Sequence, residues 1–196
     1  MDNGRFLKIL EDAGAIVAGH FILTSGRHSN TYFDKDVILT NPKLLLTCCQ
    51  DIALAFLDDN ISFVIGPAGG GNLMASSVAT LLIQMTGNDI RTPFIKDGIL
   101  RGSRYAPIQD KNVLIVDDVL TTGGSVGKVI EIARTNGGII VGLGTIFDRT
   151  KVSLPNLDDI PKRFSLITLD LEDWSYAECP DWLKKIPVDP VLGHGR

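Results

Sequence analysis

The chain has 196 residues, with 19 Lys and Arg against 23 Asp and Glu and a formal charge of −4. Its 44% hydrophobic and 21% charged residues fit a soluble globular protein able to bury a sizeable core, and they exclude disorder, collagen and coiled coil. The mildly acidic balance disfavours nucleic-acid binding through a basic face, and no run reaches the ~18 apolar residues of a membrane helix.

The N-terminus carries Asp2, Arg5, Lys8, Glu11 and Asp12 and does not read as a signal peptide, so the expectation is a cytoplasmic protein with no membrane partner. Phe6, Leu7, Ile9, Leu10, Ala13, Ile16 and Val17 recur at helical spacing and predict an opening amphipathic helix that Gly19 could end. Short strands are predicted at 21–23 and 31–33, around a polar turn at 24–30. Asn41 as N-cap and Pro42 at the first helical position predict a helix from Lys43 to about Leu57. Cys48 and Cys49 lie in its apolar run and read as buried thiols. With Cys179 they are too few for a disulfide framework or a zinc site. His20 and His28 read as structural or exposed, with no metal-ligand pattern, so no protein-held metal is expected.

From there the chain alternates. A strand is predicted at 63–65, a glycine-rich turn at 66–71, a helix at 72–85 and strands at 92–96 and 112–116. A helix follows from Ser125 to about Asn136, then strands at 139–147 and 165–169. This order predicts an α/β fold with a mostly parallel sheet flanked by helices. A single domain over 1–196 is expected, with a core at about 43–150. Residues 1–40 and the C-terminal segment fall outside the alternating pattern. Ligands of such sheets bind at the carboxyl ends of the strands.

One string carries most of the chemistry. Residues 113–125 read Val-Leu-Ile-Val-Asp-Asp-Val-Leu-Thr-Thr-Gly-Gly-Ser. Glycines let backbone N–H groups converge on a phosphate at a helix N-terminus. Hydroxyl residues add donors, while paired acids suit sugar hydroxyls or a Mg²⁺ held partly by the ligand. The string closely resembles the phosphoribosyl-diphosphate (PRPP) signature of type I phosphoribosyltransferases. That resemblance implies the family's fold, with a small hood built from the terminal segments. It implies Asp117 and Asp118 on the ribose, Thr121, Thr122, Gly123, Gly124 and Ser125 around the 5′-phosphate, and Val119 and Leu120 as further PRPP contacts. The turn Gly66-Pro67-Ala68-Gly69-Gly70-Gly71 resembles the family's pyrophosphate loop and implies contacts from Ala68, Gly69 and Gly70. Gly70 stands near the place where many relatives carry Lys, so positive charge must come from elsewhere.

Residues 19–35, with Ser25-Gly26-Arg27-His28-Ser29 and then Tyr32-Phe33-Asp34-Lys35, resemble the start of orotate phosphoribosyltransferases. So does Phe147-Asp148-Arg149, and more loosely the tail from Glu178-Cys179-Pro180. The resemblance implies orotate contacts from Phe33, Lys35, Thr121 and Arg149; taken alone, Arg149 also fits a surface ion pair. Residues 94–105 depart from the usual mobile loop, having one Lys and no His. Lys96, Arg101 and Arg104 are the candidate diphosphate contacts, with Lys96 and Arg101 joining Asp117 and Asp118 as candidate catalytic residues. The resemblance further implies Mg²⁺ as cofactor, PRPP and orotate as substrates, and a homodimer. The alternatives are a phosphoribosyltransferase for a purine or uracil, or a non-catalytic PRPP-binding regulator.

Overall fold

The computed structural model describes residues 3–102, 106–150, 154–168 and 171–193. In chain order the elements begin with α1 (Asn3–Asp12), β1 (Ile16–Ile22), β2 (His28–Phe33), α2 (Lys35–Leu39) and α3 (Pro42–Ala55). Next come β3 (Phe63–Ile65), α4 (Gly70–Thr86), the pair β4 (Phe94–Lys96) and β5 (Ile99–Arg101), and β6 (Asn112–Leu120). The last are α5 (Gly124–Thr135), β7 (Ile139–Asp148), β8 (Arg163–Thr168), β9 (Asp173–Trp174) and α6 (Asp181–Lys184). The chain divides into two compact units, one of Met1–Thr40 with Leu169–Arg196 and one of Asn41–Thr168.

The smaller unit holds the antiparallel sheet β1-β2-β9. The predicted opening helix is overextended: α1 stops at Asp12, and Ile16 and Val17 belong to β1. Ala15 N–H bonds Leu10 O and Gly14 N–H bonds Glu11 O, which is the Schellman ending with a left-handed residue, Gly14, just past the helix. Apolar spacing could not see this stop, because the β-branched pair beyond it continues the same period. The strands are longer than predicted, and the turn between them tightens to residues 23–27. The sequence reading also missed α2, a short helix whose N-cap Asp34 accepts from Asp36 N–H.

The larger unit is built on the sheet β3-β6-β7-β8, all parallel. Phe63, Ile65, Val113, Ile115 and Leu143 share a core with Val126, Val129, Ile130 and Ala133 of α5. On β7, a Cβ at Gly142 would lie 2.2 Å from the Phe56 ring, so the missing side chain admits the end of α3. Asn41 caps α3 as predicted, its side chain accepting from Leu44 N–H at 3.2 Å.

Three boundaries changed here. β6 runs four residues past the predicted Val116, through both acids to Leu120, because β7 continues beside it and pairs Asp117 with Thr145 and Leu120 with Asp148. The predicted strand at 92–96 is one arm of the hairpin β4–β5, turned by Asp97 (φ 53°) and Gly98 (φ 72°). Two consecutive positive φ values make the tight turn whose twist matches a hairpin. The last strand is shifted to Arg163–Thr168; Leu169 lies outside the described residues. Among the described residues no helix is long and apolar enough to cross a membrane.

Candidate functional site

β3 and β6 lie side by side in parallel register, with Ile65 opposite Ile115. Their carboxyl ends therefore open at the same edge of the sheet, and each leads through a glycine turn into a helix. The first turn is compressed. A Cβ on Gly66 would lie 2.2 Å from Gly71 O, and one on Gly71 would lie 2.5 Å from Pro67 Cδ. Only glycine permits that closeness. Gly69 caps α4 and Gly123 (φ 71°) caps α5, and neither helix has a side-chain cap. A glycine cap has no side chain to satisfy the first helical N–H groups. Both N-termini thus present backbone donors and the positive end of the helix dipole, which is a setting for phosphate groups.

Asp117, Thr121, Thr122, Gly123, Gly124 and Ser125 line a cavity of about 50 Å³ at the start of α5, with Val119, Leu120 and Val126 completing its wall. Thr121, Thr122, Gly124 and Ser125 are exposed, while Asp117 and Asp118 are buried. Asp117 lines the cavity at the start of α5, and Asp118 follows it directly on the strand. β3 ends at Ile65, so among the described residues β6 beyond Ile115 has no strand on that side. There the Asp118 amide donates to Asp117 Oδ1 at 2.9 Å, and the Val119 amide to Asp118 Oδ1 at 2.8 Å. These bonds orient both carboxylates at the end of the strand.

Arg149 follows β7 and is held beside the loop by its amide, which donates to Leu120 O at 2.9 Å. Asp148 is fixed by the Thr150 amide at 2.8 Å and faces Arg163 at 3.8 Å. The structure therefore brings 66–71, 117–125 and Arg149 to one edge of one sheet. Ala68 and Gly69 are exposed there and Gly70 is half-buried. Lys96 and Arg101 sit instead on the β4–β5 hairpin. Ile95 and Leu100 turn inward against the core, while Phe94, Lys96, Ile99 and Arg101 share the outer face, all exposed. Arg104 lies outside the described residues.

In the smaller unit, Phe33 is buried, Lys35 is exposed and Tyr32 is half-buried, its ring centroid 5.5 Å from that of Phe21. Ser29 is fully buried, its hydroxyl near Thr31 O at 2.9 Å and Glu172 O at 3.0 Å. Arg27 pairs with the Asp173 carboxylate and donates to Asp173 O at 2.9 Å. These bonds tie the Ser-Gly-x-x-Ser turn to β9. His20 and His28 are not exposed; both are buried, with Cys179 beside them. No sequence spacing announced that trio, because its members come from three distant segments. Burial pushes the thiols of Cys48 and Cys49 up to about 12, helped at Cys48 by Asp51 and at Cys49 by Cys48, so both stay protonated and structural.

Comparison with known proteins agrees with this geometry. The phosphoribosyl transferase domain model matches residues 36–177. An orotate phosphoribosyltransferase of Chlorobium phaeobacteroides (strain BS1) is 38% identical over 196 residues, covering 96% of this chain and 95% of that protein. The crystal structure of the Francisella tularensis orotate phosphoribosyltransferase superposes with a TM-score of 0.68 at 22% identity, over 84% of this chain and 85% of that one. The adenine phosphoribosyltransferase of Thermoanaerobacter pseudethanolicus shares the fold at TM-score 0.62 and 20% identity, over 82% of this chain and 99% of that one. The fold is therefore common to enzymes named for different bases.

Proposed function

The chain belongs to the phosphoribosyltransferase family, and from that premise we propose that it is an orotate phosphoribosyltransferase, transferring phosphoribose from PRPP to orotate in pyrimidine nucleotide synthesis. The observation that carries the donor half is the pair of glycine-capped helix N-termini at neighbouring strand ends, beside Asp117. Such a site holds a phosphate and a diphosphate without a cluster of lysines, which suits a chain of charge −4. The base is assigned from residues 19–35, from Arg149, and from the full-length similarity to an orotate enzyme at 38% identity.

In this reading the loop 121–125 holds the 5′-phosphate and the turn 68–70 the diphosphate. Asp117 and Asp118 bind the ribose hydroxyls. Arg149 forms two parallel hydrogen bonds to the orotate carboxylate, a pairing for which a planar guanidinium is suited, with Thr121 beside it. Orotate N1 then attacks C1 of the ribose as the C1–O bond to the diphosphate breaks, and the N1 proton passes to the departing pyrophosphate or to water. The products are orotidine 5′-monophosphate and pyrophosphate, which keeps the bonding electrons. The anionic base needs no strong general base, so catalysis is positioning and charge stabilisation. Lys96 and Arg101 supply positive charge to the leaving diphosphate from the hairpin, which serves as a lid. The carboxylate oxygens of Asp117 and Asp118, with the substrate's own oxygens, fit Mg²⁺, which would neutralise the diphosphate as it leaves. The exposed Phe94 and Ile99 on the hairpin's outer face suit cover by a second copy, and the working form is a homodimer. Its phosphorylated substrates place it in the cytoplasm.

The test is orotate consumption followed by ultraviolet absorbance, with PRPP and Mg²⁺ present and with uracil and the purine bases as comparisons. Turnover of orotate alone is expected. Turnover of another base and not orotate would overturn the assignment of the base. Binding of PRPP without turnover of any base would point to a regulator of the same fold.

A further inference from the structure

In the smaller unit three buried side chains that the proposed reaction does not use converge. His20 comes from β1, His28 from β2 and Cys179 from the segment before α6. Their relative exposures are 4%, 6% and 3%. Their ligand atoms all lie within 4.8 Å of one another.

The hydrogen bonds fix how the rings present themselves. His20 Nδ1 lies 2.8 Å from Ile186 O, which can only accept, so Nδ1 carries the proton. In a neutral ring Nε2 then holds a lone pair. That atom lies 2.7 Å from His28 Nδ1, which donates to it when no third body is between them. An imidazole whose far nitrogen is bonded to a backbone carbonyl is the arrangement that orients a histidine toward a metal. A neutral ring can shift its proton to the far nitrogen and free Nδ1.

We propose that His20 Nε2, His28 Nδ1 and Cys179 Sγ form a binding site for a thiophilic divalent ion of the zinc class, with water in a fourth position. Two imidazoles and one thiolate are a donor set for such an ion, and the hard cations Mg²⁺ and Ca²⁺ prefer oxygen. A sulfur about 2.3 Å and a nitrogen about 2.0–2.1 Å from a tetrahedral ion stand roughly 3.6 Å apart, so Sγ, now within 4.8 Å of the nitrogens, closes in by up to about 1.2 Å. Ligand nitrogens about 2.0–2.1 Å from a tetrahedral ion stand roughly 3.3–3.4 Å apart, so the rings separate by about 0.6 Å from their direct hydrogen bond. Binding releases the thiol proton and forms the metal–sulfur bond, with no change of oxidation state. The ion would join β1, β2 and the C-terminal segment, and small folding units commonly need such a staple. It would also fix His28, which lies within the Ser-Gly-x-x-Ser turn. The site is distinct from that of the Mg²⁺ invoked above, and it holds whichever base the enzyme uses.

The experiment is cobalt substitution of the full-length chain with any affinity tag removed, after depletion with a zinc-selective chelator and with Mg²⁺ kept in the buffer. The expected result is one Co²⁺ per chain, with a thiolate-to-cobalt charge-transfer band in the near ultraviolet and tetrahedral bands in the visible. Zinc should displace both. Cys179→Ser should lose the near-ultraviolet band and bind zinc more than ~100-fold more weakly, since loss of even a supporting partner of a ligand costs ~10–100-fold. Cys48→Ala is the control and should retain the band. Absence of cobalt binding by the wild-type chain, or binding without a charge-transfer band, would overturn the proposal. So would a Cys179→Ser chain that holds zinc as tightly as the wild type. The wild-type spectrum decides the matter even if the variant fails to fold.

Discussion

Replacing Gly66 with Ala would put a Cβ 2.2 Å from Gly71 O, 2.3 Å from its carbonyl carbon and 2.7 Å from its Cα. An ordinary carbon–oxygen contact begins near ~3.3 Å, so the turn and the start of α4 must part by about 1 Å. The obstructing atoms are backbone in the first turn of a helix and cannot rotate away as a side chain would. The cost belongs at the upper end of the overpacking range, about 3 kcal/mol. For a chain of this length that lowers the melting temperature by roughly 6–12 °C, at ~2–4 °C per kcal/mol. The same opening moves the α4 amides that the proposed mechanism aims at the diphosphate. A misplacement of about 1 Å in a positioning element costs ~10²-fold in rate, so kcat/KM for PRPP should fall by about that factor. Gly124→Ala makes the matched control. Its Cβ would meet only Thr122 Oγ1, at 3.6 Å, and it sits at the start of a helix. Its stability should hold or rise by up to ~1 kcal/mol. Thermal melts of both variants followed by circular dichroism, with PRPP titrations of Gly66→Ala against wild type, decide the issue. A Gly66→Ala chain that melts within a degree or so of wild type with unchanged KM for PRPP would refute the close-approach argument.

Three further outcomes are expected. The double variant Asp117→Asn/Asp118→Asn should raise the KM for PRPP and lower kcat; each lost charge-assisted hydrogen bond is worth about 1.5–3 kcal/mol, and full activity would show that the ribose is held elsewhere. Arg149→Lys should raise the KM for orotate at least ~10-fold while leaving that for PRPP unchanged, because an ammonium cannot make the two parallel bonds; equal effects on both substrates would assign Arg149 to the loop's structure instead. The buried thiols predict a pH dependence. Cys48 and Cys49 titrate near 12 in the folded chain against an ordinary 9.0, so above pH 9 only the unfolded chain loses those protons. Stability conferred by the protonated thiols is full below pH 9 and falls as pH rises toward 12. Its slope should reach about 1.4 kcal/mol per pH unit for each thiol. Urea melts across this window should show a shallower decline in Cys48→Ala/Cys49→Ala, and an identical slope would contradict the burial argument.

How much of this was legible depended on how local each signal was. The helix starting after Asn41 was readable because its cap and its proline are adjacent in the chain. The PRPP-like string was readable for the same reason: strand, acids, glycine turn and helix N-terminus are consecutive. The start of α4 was placed two residues late, since its cap is a glycine and offers no side-chain signal. The end of α1 was missed because the apolar period runs on through Ile16 and Val17, although they enter a strand.

The sequence by itself determined the α/β class, the two glycine turns and the residues that carry the proposed chemistry, because each is written in a short stretch of chain where local backbone preferences dominate. Tertiary structure alone decided what pairing across long separations fixes. β7 lengthens β6 through both acids to Leu120. The parallel register of β3 and β6 sets the two glycine-capped helices at one edge. The pairing of β1 with β2 brings His28 to His20, and packing within the smaller unit adds Cys179, whose place in the chain gives no hint of its neighbours.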